Sequence, residues 1–429
     1  MRKWGLMLVI VAMLGLAACG GGNSEGTAES NGGSAGGSGK KETVTWWAPN
    51  WDEATARKLV SQFETENPDV KVDIVVTTWD TMENKIRVAL MTKDVPDVIT
   101  ELESRIQGYA AKGLLLKLDD YFDDKMPKDD FIKSALEINT YDGGVYGVPF
   151  RHDGSGVLYN KKMFKDAGLD PDKFPETWDE FISAARKLTK DTNQDGTTDQ
   201  YATAWPLGNQ ANAVTRYIQM LFTEGGDVFN ENKTKSLLNT PEAVEALRKL
   251  TDTIKNGEAP KSTVELDNTS MRDLFINEKI AMYIGGQFDI EPIGKDKPSI
   301  ELGTAVLPGP GGMGTTTVDG FSLIVPEPAK HKDGARKLVQ FIAQPEHMAE
   351  LTATFPGRKS ALEQPKFADP LLKPFSDQLE KGKSKPIHEN WSNIEKTMYR
   401  YIQLVILNNM DVQEAADKMT AEVDAALKS

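Results

Sequence analysis

Cysteine is almost absent: Cys19 is the only one in 429 residues. No disulfide can close within the chain, so the fold must rest on its core. Histidine is scarce too. The four, His152, His331, His347 and His388, do not fall at zinc-ligand spacing from one another. Basic residues are outnumbered, 50 against 64 acidic ones, for a formal charge of −14. That balance argues against nucleic acid as a partner and against electrostatic docking on anionic lipid. Long apolar runs are missing as well. The one such stretch, Gly5 to Leu16, is roughly a dozen residues, and about 20 are needed to span a bilayer.

What is present begins with that stretch. Arg2 and Lys3 precede it, and Leu16-Ala17-Ala18-Cys19 ends it. This order resembles a bacterial lipobox, in which the cysteine thiol is lipidated and the preceding peptide is removed. The expectation is a signal peptide over 1–18 and a mature chain tethered through Cys19 to the outer face of the cell membrane. Residues 19–41 hold the lipidated cysteine and a Gly/Ser-rich run with too little apolar surface to order itself, so they read as a flexible linker. Gly32 to Gly36 spells the hydrolase pattern G-x-S-x-G. That motif needs a strand before it and a helix after it, and the linker supplies neither.

Beyond the linker, strand and helix patterns alternate. Val44 to Trp47 reads as a strand. Ala56, Leu59, Val60 and Phe63 recur at helical spacing until Asn67-Pro68 stops them. Val70, Val72, Ile74 and Val76 alternate as in a half-buried strand, a helix pattern covers 80–92, and Pro96 to Ile99 reads as another strand. Thr177 to Glu180 fits a capping box ahead of the apolar stripe Trp178, Phe181, Ile182, Ala185 and Leu188. Thr240-Pro241 sets another helix start, with Gly257 past its end, and residues 395–427 are mostly helical in pattern. The order implies an α/β fold, and ligands of such sheets sit outside the C-terminal strand ends. The length suffices for two lobes.

The ordered landmarks resemble a known family. They are Pro96-Asp-Val-Ile99 with Gly108 to Leu115, Tyr146 to Phe150 with Leu158 to Lys161, Ile276 to Met282 with Gly285-Gly-Gln-Phe288, and Leu307-Pro-Gly with Gly320 to Ile324. Together they are similar to the extracellular solute-binding proteins of bacterial ABC importers, in the branch that includes maltose-binding protein. The resemblance implies a two-lobed periplasmic-binding-protein-like fold with the ligand cleft between lobes. Its topology puts 42–152 and 311–345 in the N-lobe, and 153–310 and 346–429 in the C-lobe. It implies a monomer that closes about a hinge on a sugar, delivers it to ABC permease subunits, and is not an enzyme.

A sugar site needs flat aromatic platforms and fixed hydrogen-bond partners. Trp47, Asn50 and Trp51 offer both at the first strand end; Trp46 and Trp47 alternate, and Trp46 is read as the core-facing one. The resemblance aligns 100–105 with a sugar-contacting loop, where Arg105 matches a ligand-binding arginine. Glu101 falls where maltose-binding protein has tryptophan, which speaks against maltodextrin. The resemblance also makes Asp153 a hydroxyl acceptor and Gln287, Phe288 and Trp391 ligand-facing. Arg151 lies at the lobe crossing, and Trp205 is expected to face the cleft. His152 is read as structural. Two carboxylates, Glu101 and Asp153, against two arginines, Arg105 and Arg151, suggest a neutral oligosaccharide.

Two further motifs differ in weight. Asp191, Asn193, Asp195, Thr197 and Asp199, with Gly196, resemble the first nine positions of an EF-hand loop, although Ala202 stands where the bidentate glutamate would be. A structural Ca²⁺ is the expectation; an ordinary turn is the alternative. Gly309 to Gly314 spells G-x-G-x-x-G, but threonines and an apolar strand pattern follow instead of a helix, so it reads as a loop. The competing functions are a surface sensor without transport and a glycosidase, for which nothing in the sequence singles out a nucleophile or base.

Overall fold

The computed structural model describes residues 41–352, 354–379, 381–386, 388 and 390–428, except for the side chains of Trp79 and Asp80. Cys19 and most of the linker lie outside the described residues. The strand Glu42–Pro49 sits between Val70–Thr77 and Val98–Leu102, parallel to both. Its alternation puts Val44, Trp46 and Ala48 into the core. Thr317–Ile324 continues the sheet antiparallel to Val98–Leu102 and pairs on its other side with Val148–Asp153 and Lys383–Ser384. Gly320 permits that pairing: a Cβ there would lie 2.0 Å from the carbonyl oxygen of Arg151. The chain crosses from this sheet through Asp153 and Gly154 into Ser155–Asn160. That strand is the centre of a second sheet, flanked antiparallel by Met282–Gly286 and Leu302–Ala305.

The helices form where the spacing predicts. Glu53–Glu66 buries Ala56, Leu59, Val60 and Phe63. Trp178–Leu188 carries the capping box of Thr177 and Glu180, and Pro241–Lys255 starts on the Thr240 cap. Trp178 itself stays half-exposed, and Ala184 takes its place in the buried stripe. Trp391–Leu407 and Val412–Ala426 pack together near the C-terminus.

Each sheet has its own core. Trp46, Phe63, Val98, Phe131, Leu323 and Leu338 belong to the first. Phe181, Trp205, Tyr217, Leu247, Ile402 and Met419 belong to the second. Met348, Ala349, Leu351 and Ala361 pack in the first core, so the chain stays with the first lobe well past the boundary expected at residue 345. The physical reason is the pair Arg358–Asp130, at 2.7 Å with both groups mostly buried, which ties this segment to the first lobe. The chain rejoins the second lobe by Phe375 and Leu379, which pack with Leu158, Phe275 and Tyr283.

Candidate functional site

The first strand ends at Pro49, whose ring fixes φ and turns the chain into the short helix Asn50–Asp52. The turn lifts Trp51 out, 39% exposed, with its ring centroid 5.0 Å from that of Phe321. The Arg151 guanidinium lies 5.6 Å from the centroids of both rings. Arg151 Nε donates to Asp153 Oδ2 at 2.7 Å, and Gln287 Nε2 donates to Asp153 Oδ1 at 2.8 Å. Asp153 is therefore already engaged on both oxygens, by one group from each lobe. Phe288 follows Gln287 and is 38% exposed. Beside Trp51, burial pushes the Asp52 carboxyl up to about 6, with Arg151 pulling the other way.

A cavity of about 610 Å³ opens between the lobes. Arg105, Tyr109 and Tyr141 line one wall; Lys385, His388 and Trp391 line the other. Trp391 is half-buried and meets Phe229 edge to face at 6.4 Å. Its position at the start of a helix leaves the ring facing both core and cavity. Asp319 links this cavity to the Trp51 group: it pairs in the sheet with Asp153, accepts from the Ser104 backbone N–H, and lies 3.9 Å from Lys385 Nζ.

Sequence reasoning placed Trp51, Arg105, Arg151, Asp153, Gln287, Phe288 and Trp391 in or around these two groups. Asn50 is exposed beside Trp51. Three placements need correction. Glu101 has no exposed surface; it accepts from the Leu102 N–H at 2.7 Å and stands behind Arg105, 4.0 Å away. Burial pushes its carboxyl up to about 7 against the pull of Arg105, so it is a counter-charge to a cavity residue and not a ligand contact. Trp205 is fully buried, and its indole N–H donates to Thr253 Oγ1 at 2.8 Å. It is core because the segment before it leaves its sheet-like bridge at Tyr201 and dives under the helix Pro241–Lys255. Trp47 turns outward from the cleft: its ring carries Lys85 Nζ at 3.9 Å and packs beside the helix Trp79–Thr92.

Sequence reasoning missed Tyr109, Tyr141, Phe321 and Lys385. Phe321 sits in Gly320 to Ile324, a landmark of the resemblance, and its outward place in the strand alternation was the available signal. His152 is buried as expected. Its Nδ1 lies 2.8 Å from Glu103 Oε2 and its Nε2 3.0 Å from Ser134 Oγ. His152 and Glu103 have no exposed surface, so this line braces the lobe beneath the crossing.

The loop from Asp191 to Asp199 folds on itself. Asp191 accepts from the N–H groups of Gln194, Asp195 and Gly196. Asn193 accepts from the Asp195 N–H, Asp195 from that of Thr197, and Asp199 from the Thr192 N–H and hydroxyl. Among the described residues no three His, Cys, Asp or Glu side chains converge as a metal cluster. A cation would have to draw these carboxylates away from the N–H groups they now hold. Gly309 to Gly314 is a loop, as expected, and the strand Thr317–Ile324 follows it.

Residues 48–349 match the family model of the bacterial extracellular solute-binding proteins. The chain belongs to this family. The binding protein is 26% identical over 359 residues to the multiple sugar-binding protein of Streptococcus mutans, covering 79% of each chain. It is 25% identical to an uncharacterised lipoprotein of Streptomyces antibioticus, over 71% of this chain and 66% of that one. The fold matches the sugar-binding protein MalE of Xanthomonas citri with a TM-score of 0.79 at 24% identity, over 90% of this chain and 97% of that one.

Proposed function

We propose that this binding protein is the lipid-anchored, carbohydrate-capturing subunit of an ABC importer. The observation that carries the reading is the cavity between the two cores, with Tyr109 and Tyr141 on one wall and Trp391 on the other. Aromatic faces on opposite walls suit the apolar C–H faces of a sugar, and both walls must approach for the ligand to be enclosed. A relative whose name states sugar binding supports the same reading. Hinge closure would then present the loaded lobes to membrane permease subunits, with the protein itself a monomer.

Anchoring through Cys19 rests on the lipobox-like Leu16 to Cys19, and a lipoprotein relative supports it. Two experiments test the proposal. Deletion of the gene should abolish growth on, and uptake of, one carbohydrate; unchanged uptake of every sugar that the protein binds would leave a sensor instead of an importer subunit. Cys19→Ser should move the protein from the membrane fraction to the medium, and a variant retained on the membrane like the wild type refutes the anchor. The loop at Asp191, Asn193, Asp195, Thr197 and Asp199 is proposed as a Ca²⁺ site on its spacing alone.

A further inference from the structure

We infer that Thr316 is the pivot on which the two lobes turn as they close, held there by a ring of hydrogen bonds with Ser155, Arg216 and Gln219; this rests on the reading that the lobes enclose a captured solute. Thr316 stands just before the first-sheet strand Thr317–Ile324 and has no exposed surface. Its hydroxyl oxygen accepts from two second-lobe groups, the Ser155 backbone N–H at 2.7 Å and Gln219 Nε2 at 3.3 Å. Gln219 Oε1 accepts in turn from Arg216 Nη1 at 2.9 Å, and the same nitrogen donates to Ser155 Oγ at 3.0 Å. The bonds therefore close on themselves, from Thr316 to Gln219, Arg216, Ser155 and back. Arg216 and Gln219 are both buried and lie one turn apart on the helix Gln210–Thr223. Three members of the ring belong to the second lobe, and Thr316 comes from the edge of the first.

Three passages of the chain between the lobes meet at this residue. The first, at Gly154 and Ser155, touches both arms of its side chain: Ser155 bonds the hydroxyl, and a Cβ on Gly154 would lie 3.3 Å from Thr316 Cγ2. The second runs from the strand Leu302–Ala305 to Thr317–Ile324 and holds Thr316 itself. The third runs through Lys383–Ser384, paired on the first sheet, toward the helix Trp391–Leu407 in the second core. There the Lys383 N–H donates to the Thr316 carbonyl at 3.0 Å, and a Cβ on Gly382 would lie 3.3 Å from the same methyl carbon. Glycine at 154 and 382 lets two backbones close on one threonine. Gln378, also buried, ties the third passage to the second: its side chain accepts from the Leu307 N–H at 3.0 Å and donates to the Gly314 carbonyl at 3.1 Å.

A hinge is made by a few residues at the ends of elements, and its axis runs through what stays bonded while the rest moves. Parting Thr316 from its partners would strand N–H groups where no water reaches, which is costly. Contacts farther along the same seam carry no such constraint. Asp153, between Arg151 and Gln287, is partly exposed. Lys385 and Asp319 are 3.9 Å apart and partly exposed, so water can take the place of either. The seam is dry at Thr316 and loosens toward the cavity, which is the arrangement of a fixed point and a moving mouth.

The test reads the distance between the lobes in the ligand-free protein, so it does not depend on which solute is captured. Spin labels on Lys112→Cys and Asn232→Cys report it in the full mature chain carrying Cys19→Ser, which leaves no other thiol. Both positions are exposed; Lys112 lines the first-lobe wall of the cavity, and Asn232 adjoins the lining residue Lys233. Thr316→Val keeps the shape of the side chain and removes the hydroxyl, and it should broaden or shift the distance distribution. Thr316→Ser keeps the hydroxyl and should reproduce the wild-type distribution. A Thr316→Val distribution that superimposes on the wild type overturns the inference, even where the melting temperature falls, because a merely structural threonine would do only that. A Thr316→Ser distribution displaced as far as that of Thr316→Val overturns it too. If Thr316→Val does not fold, Gly154→Ala takes its place: the new methyl crowds Thr316 without removing a bond and should displace the mean distance, and an unchanged mean overturns the inference. Each of these failures leaves sugar capture standing, since uptake and binding decide that reading and lobe distance does not.

Discussion

Gln287 donates its side-chain amide to Asp153 Oδ1 across 2.8 Å, from the end of a second-lobe strand to the point where the chain leaves the first lobe. Arg151 holds the other oxygen of the same carboxylate from the first-lobe side. One aspartate therefore couples the two lobes at their crossing. Asp153→Asn should destabilise the protein by about 1–3 kcal/mol, because it strips the charge that Arg151 pairs with in a mostly buried setting. Gln287→Ala should cost about 1 kcal/mol, and in the double variant the two losses should not add. Urea unfolding of the four proteins measures this; strictly additive losses would mean that the two side chains do not share one network.

The tryptophans separate binding from stability. Trp391→Ala should weaken ligand binding by about 2 kcal/mol while the protein stays folded, since the ring lines the cavity. Trp51→Ala should weaken it through the platform shared with Phe321 and Arg151. Trp205→Ala should act the other way, costing about 3–5 kcal/mol of stability through a cavity in the second core and an orphaned Thr253 hydroxyl. Trp47→Ala should leave affinity unchanged. Calorimetry and melting on the four variants decide the placement; a loss of affinity confined to Trp47→Ala would return the cleft to the side on which the sequence first put it.

These tryptophans also show how much was legible in the sequence. Period-two alternation assigned Trp46 to the core correctly, and helical spacing placed the buried stripe of Glu53–Glu66. Local patterns of that kind carry their own geometry. Alternation says only that Trp47 faces the other side of the sheet, and that side holds both the strand-end cleft and the helix Trp79–Thr92. Which of these the ring meets depends on where the helix packs. Glu101 failed for a related reason: adjacent residues on one strand point oppositely, and the alignment that placed Arg105 said nothing of the carboxylate behind it.

Calcium at the Asp191 to Asp199 loop has a direct readout. A ligand that binds only the folded state, at about 100 times its Kd, adds about 2.7 kcal/mol. Melting in excess calcium should exceed melting in chelator by a few degrees, and Asp195→Ala should abolish the difference. Superimposable curves, with no calcium in the purified protein, would leave the loop as the self-bonded turn that its hydrogen bonds describe.

The last prediction concerns pH. Burial pushes the carboxyls of Glu101 and Glu103 up to about 7 and those of Asp52 and Asp289 up to about 6. For each of these the folded state binds a proton more tightly than the unfolded chain, where carboxylates titrate at about 4. Their contribution is complete below that value and is lost as pH climbs to the folded values. His152 moves in the same sense: burial alone would lower its pKa, but Glu103 more than reverses this, so its share too fades with rising pH. Exposed carboxylates such as Asp166, held down by its hydrogen bond to Lys162, oppose this only under acid conditions below their ordinary range. The melting temperature should therefore fall by several degrees between pH 5 and pH 8 at fixed ionic strength. Glu101→Gln should flatten the slope by removing one of the titrating groups, and scanning calorimetry at four pH values measures both. A wild-type melting temperature that rises across this window would show that the buried carboxylates are ionised and compensated, and with them the account of Glu101 as a partly protonated counter-charge to Arg105 would fall.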